Sequence, residues 1–177
     1  MTRKDQLLRR FAKAEVERRA LLDTLEHIPT SVLERQPGPG AWSVAQIIAH
    51  LALAEARSLD YLEHKLRSGD HAPADASAGL RVVALRAALR LPLRFKAPAV
   101  VATLPPCSFS EARRAWDEVR SRMAAAYAAL PPEVATHGLF KHPTAGRFDT
   151  VQGMAFMRDH VQHHRAQIFR TIRQVAA

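Results

Sequence analysis

His160 and His164 stand four residues apart near the end of the chain. In a helix that spacing projects both imidazoles from one face about one turn apart, so the pair can chelate a single cation. Chance pairs at this separation are common, and the position on the helix adds what the spacing lacks. On a helical wheel His160 and His164 flank the apolar stripe Met157, Val161 and Ile168, at the edge of a core. His163 points further toward the polar side and reads as a solvated residue. A third ligand must come from another helix. His50 lies far upstream with Ile47, Leu51 and Ala54 on its side. Alone it reads as a core histidine, but combined with a distant HxxxH on a second long helix it makes a metal site the better reading. Cys107 is a poor fourth ligand, because it follows two prolines in a connection.

Helices must carry these residues. Leu7, Leu8, Phe11, Leu21, Leu22 and Leu25 recur near the helical period, predicting a first helix over about residues 3–27 that Pro29 helps to end. The breaker cluster Gln36-Pro-Gly-Pro-Gly follows. Ser43 with Gln46 three residues on has the form of a capping box, and Val44, Ile48, Leu51, Leu59, Leu62 and Leu66 give a second helix its seam up to Ser68-Gly69. Ser108 with Glu111 starts a third, whose Phe109, Ala112, Trp116, Val119, Met123, Ala126 and Leu130 alternate by three and four until Pro131-Pro132. The last helix begins near Asp149-Thr150 and carries Val151, Met154, Met157, Val161, Ile168, Ile172 and Val175 on one side. The expected fold is therefore all-α: a four-helix bundle, one domain over residues 1–177, with one long connection over about residues 68–108 carrying an extra short helix.

That connection contains Arg81, Arg86, Arg90, Arg94 and Lys96, and residues 76–107 hold no acidic group. From Leu80 to Leu93 its pattern is helical, which suits a surface helix packed over the bundle. Pro92, Pro98, Pro105 and Pro106 soon break it, which argues against a membrane-lying helix. Glu55, between Leu51 and Leu59, and Arg165, between Val161 and Ile168, occupy seam positions where apolar residues are expected. A buried charge needs a partner, so these two are expected to meet as an ion pair, with Arg158 as the competing partner for Glu55.

The chain has 177 residues, 47% of them apolar and only 6% aromatic, and a net charge of +9. That balance would suit nucleic acid or an anionic membrane. The cations are spread over every helix, however, only five are Lys, and no stacked-aromatic reading signature is visible, so neither partner is expected. The opening MTRKDQLLRR begins an amphipathic pattern without a signal-peptide core, and the lone Cys107 forms no internal disulfide. The expected location is cytoplasmic.

The stretch GAWSVAQIIAHLALAE, residues 40–55, resembles the tryptophan-serine entry and first metal histidine of DinB-like proteins, and MRDHVQHHRAQI, residues 157–168, resembles their closing motif. KHPTAGRFDTVQ is similar to the family's lead into the last helix, and FKAPAVV, residues 95–101, to its connecting segment. The resemblance implies a bundle with one long connection, frequent homodimers, and a divalent metal held by three histidines, which fall here on His50, His160 and His164. Relatives in that family include thiol-dependent transferases and a mycothiol-dependent isomerase.

Three neutral imidazoles leave coordination positions open, whereas a structural zinc is normally closed by four protein ligands. Zinc and nickel suit imidazole best, with iron and manganese as further candidates. One reading is an enzyme whose metal acidifies a low-molecular-weight thiol for transfer to a small molecule; a second is hydrolysis with water in the thiol's place. A third is a non-enzymatic protein that binds metal or a small ligand. Neither a general base nor a serine or cysteine nucleophile arrangement stands out, since Glu55 is committed to the core.

Overall fold

The structure, a computed structural model, describes residues 1–74, 76–90, 104–143 and 145–176. It is mostly helical, with one small hairpin. Helix α1 spans Arg3–Glu26, a single turn α2 spans Thr30–Leu33, and α3 spans Val44–Ser68. Helix α4 (Ala78–Arg90) lies in the connection to α5 (Phe109–Ala129). A 3-10 turn, η1 (Pro132–Thr136), and strands β1 (Phe140–His142) and β2 (Gly146–Phe148) then lead to α6 (Thr150–Ala176). The segment FKAPAVV and the stretch from Leu91 to Leu93, including Pro92, together with Arg94, Lys96 and Pro98, lie outside the described residues.

The helix starts follow from local chemistry. Thr2 with Asp5, Ser43 with Gln46, and Ser108 with Glu111 each form a complete capping box, in which the side chains satisfy backbone N–H groups that the helix itself leaves unpaired. Asp149 and Gln152 do the same for α6: Gln152 N donates to Asp149 Oδ1 at 2.8 Å, and Asp149 N donates to Gln152 Oε1 at 3.0 Å. Helix α3 stops at Gly69, whose φ of +66° is a left-handed conformation open to glycine at no steric cost.

Ion pairs and core residues give the direction of each long helix. Arg3 binds Asp149 and Glu17 binds Arg158, so α1 and α6 run parallel. Glu55 meets Arg120 and Asp60 meets Arg122, so α3 and α5 also run parallel. Arg18 with Asp117, and Glu26 with Arg113, set α1 antiparallel to α5. Parallel neighbours cannot be joined by a tight turn. A helix of 25 residues is roughly 37 Å long, and the chain must travel back over that length between α3 and α5. This is the physical reason for the long connection, and α4 is part of the return path.

The buried apolar residues form two clusters. One gathers Leu22, Val44, Ile48, Leu51, Trp116, Val161 and Ile168; the other gathers Leu7, Leu59, Met123, Phe140, Phe148, Met154 and Met157. Trp116 and Met123 are fully buried, as the spacing along α5 predicts.

Two expectations are corrected by the packing. Glu55 does not meet Arg165. The parallel pairing of α3 with α5 puts Arg120, one turn beyond Trp116, against the carboxylate, whereas Arg165 is exposed with its guanidinium 5.7 Å from the Phe169 ring. Arg158 is committed as well, to Glu17, through Nε at 2.7 Å and Nη2 at 2.6 Å. The lead into the last helix forms an antiparallel hairpin, pairing Phe140 with Phe148 and His142 with Gly146. Gly153 lets this hairpin sit against α6, because a Cβ there would come within 2.6 Å of the Phe140 ring.

Candidate metal centre

His50 lies on α3 two turns beyond the Ser43 cap, and His160 and His164 lie one turn apart on α6. The structure brings the three together. One ring nitrogen from each falls within 4.8 Å of the others. His160 Nε2 stands 3.4 Å from His50 Nε2 and 3.0 Å from His164 Nε2. His50 and His164 are buried and His160 is half-buried. Two nitrogens bound at about 2.0–2.1 Å to one tetrahedral ion stand roughly 3.3 Å apart, so His160 already stands near that separation from both partners, while the widest spacing in the group, up to 4.8 Å, closes on binding.

Burial sets the charge state of the cluster. It pulls the His50 imidazole down to about 4 and the His164 imidazole to about 3. Burial, followed by the neighbouring His164 and His50, holds His160 well below the ordinary histidine range. All three are therefore neutral at pH 7, the form that donates a lone pair to a metal.

The surroundings fix the rings. Gln167 Oε1 lies 2.8 Å from His164 Nδ1, and a carboxamide oxygen only accepts, so Nδ1 carries the proton and the Nε2 lone pair faces the cluster. Trp42 packs on His50 with centroids 5.0 Å apart, and Phe156 stacks on His160 at 5.7 Å with an interplanar angle of 11°. His50 Nδ1 is buried and has no hydrogen-bond partner among the described residues. Gln167 was not singled out by the sequence, although its place three residues after His164 on the same helix is the signal that marks it.

His163 departs from the solvated position expected of it. Its Nδ1 lies 2.9 Å from the Leu89 carbonyl oxygen, because α4 covers that flank of α6. Arg86 of α4 also reaches Asp159 Oδ2, with Nε at 2.6 Å. These polar contacts help to dock the basic helix beside the histidines. Cys107 is half-buried and lies outside the three-histidine group.

A mostly helical chain that gathers three neutral imidazoles from two long helices has the donor set of a divalent-metal site. Its sequence matches the model of the DinB superfamily over residues 13–168, and the chain belongs to that superfamily. No curated protein and no solved structure matches it. No described helix is long and apolar enough to cross a membrane.

Proposed function

We propose that this chain is a four-helix bundle that holds one divalent metal ion, zinc or nickel, through His50, His160 and His164, and that it is an enzyme acting on a small molecule. The observation that carries the reading is a cluster of three neutral imidazole nitrogens within 4.8 Å with no fourth histidine, cysteine or carboxylate in the group among the described residues. Three protein ligands leave room for a reactant, as catalytic sites do and closed structural sites do not. When bound, the ion would supply Lewis acidity, lowering the pKa of a thiol or a water near neutral pH.

The chain's own residues do the rest. Gln167 orients His164, while Trp42 and Phe156 wall the cluster and keep bulk water from two of its rings. Asp159 is held by Arg86, so α4 is seated beside the cluster. The thiol cosubstrate and the homodimer implied by family resemblance belong to the same reading.

A non-enzymatic metal-binding role is the second reading. Metal-loaded protein assayed for thiol conjugation of small electrophiles and for hydrolysis, with and without chelator, separates the two. Chelator-sensitive turnover that disappears in His160→Ala supports the enzyme. Stoichiometric metal without turnover in either assay favours binding alone.

A further inference from the structure

Two more imidazoles face each other far from the cluster described above. His71 follows the Gly69 turn at the end of α3, and His137 follows η1. Their Nδ1 atoms stand 2.6 Å apart, with ring centroids 4.8 Å apart and planes at 49°. Two lone pairs at that separation repel, and so do two N–H groups. One N–H facing one lone pair makes a hydrogen bond between neutral rings, and a cation facing two lone pairs is the other favourable arrangement.

The backbone brings the rings to this position. Pro73 and His137 form an antiparallel bridge, Gly138 N donates to Ala72 O at 2.9 Å, and Ala74 N donates to Thr136 O at 3.1 Å. His71 N donates to Gly69 O at 3.0 Å, and His137 N to Val134 O at 2.9 Å. Both residues are half-buried, so each ring keeps a face toward solvent. A ligand pair fixed in advance in this way binds without first ordering two loops.

We propose that His71 and His137 form a second cation site, taking a divalent transition metal that favours imidazole nitrogen and completes its shell with water. Two nitrogens at about 2.0–2.1 Å from one ion in adjacent positions stand roughly 2.9–3.4 Å apart, so the rings need to open by about 0.3–0.8 Å from their 2.6 Å separation. Asp70 adds no ligand, because its carboxylate is bound by Lys65. With two protein ligands and Lys65 and Arg147 nearby, the site is weaker than the three-histidine cluster. It ranks metals by their affinity for nitrogen, copper above zinc. Binding there clamps the end of α3 to the segment that leads through the hairpin into α6.

Zinc alone is a sufficient probe. Untagged full-length protein, stripped with chelator, is dialysed against excess zinc, and bound metal is counted by elemental analysis. The expected count is two ions in wild type and one in His71→Ala. In a His160→Ala background it is one, falling to none when His71→Ala is added. Zinc should also raise the Tm of His160→Ala, since a ligand bound only by the folded state stabilises it, and that rise should vanish with His71→Ala. His137→Gln, checked for helicity by circular dichroism, should give the same losses. The His71 effect is read in both backgrounds, so it stands or falls separately from the three-histidine site. If removing His71 or His137 changes neither the zinc count nor the Tm response, the two rings share a proton only and the second site does not exist.

Discussion

The Glu55 carboxylate and the Arg120 guanidinium form a buried bidentate pair, with Nε at 2.7 Å from Oε2 and Nη2 at 2.5 Å from Oε1. Trp116 Nε1 donates to the same carboxylate at 2.7 Å. Both charged side chains are almost wholly shielded from water, at 3% and 2% exposure. The pair ties α3, five residues beyond His50, to α5. Removing one partner leaves a lone buried charge, which costs about 3–5 kcal/mol, while removing both with volume kept can approach neutrality. Urea melts of Glu55→Gln, Arg120→Met and the double variant should therefore show strong non-additivity, with the double variant more stable than the sum of the single losses. Arg165→Met should cost little, because surface substitutions usually stay within about 0.5 kcal/mol. Additive losses at Glu55 and Arg120 would contradict the contact.

Gln167 should matter for metal without touching it. Gln167→Leu removes the acceptor at His164 Nδ1, and such outer partners typically change metal affinity about 10–100-fold. Competition with a chromophoric chelator measures the change. Wild-type affinity in Gln167→Leu would mean that the His164 ring is held by packing alone.

Metal-free protein should lose stability as pH falls. Above the ordinary histidine value of 6.5, the His50 ring is neutral in both the folded and unfolded chain. Below it the unfolded imidazoles take protons, while burial keeps His50 neutral down to about 4 and His164 down to about 3. The unfolded state then binds more protons, so stability declines through that window by about 1.4 kcal/mol for each unit of depression, as an upper bound. Thermal melts in chelator between pH 7.5 and 5 should show a falling Tm, with a shallower fall in His50→Phe. An equal fall in both proteins would remove His50 as a cause.

The long helices were legible because their signals are local. Ser43 with Gln46 and Ser108 with Glu111 announce caps, and the ridge from Phe109 to Leu130 announces a buried face. The histidine cluster was legible because a helical wheel places His160 and His164 beside the core and His50 beside Ile47, Leu51 and Ala54 on another long helix, with the family resemblance falling on the same three residues. The partner of Glu55 was not, because it depends on α3 and α5 running parallel, which no local pattern encodes. Arg120 sits next to Val119 on the flank of the apolar ridge, hidden by its regularity. Three-residue strands are too short for an alternation to register. His163 was misread because a single-helix wheel cannot show that α4 lies over its polar side.

Elemental analysis of purified protein and its single variants tests the central claim most directly, with a stripped sample reloaded at one equivalent of zinc or nickel and then passed over a weak chelating resin, so that the weaker His71–His137 pair is emptied and only the three-histidine site keeps its ion. Wild type should retain one ion per chain. His50→Ala, His160→Ala and His164→Ala should each lose most of it, because each withdraws one of three converging nitrogens. His163→Ala should keep it, because its Nδ1 is turned to the Leu89 carbonyl. Metal content in folded His160→Ala equal to that of wild type would contradict the account.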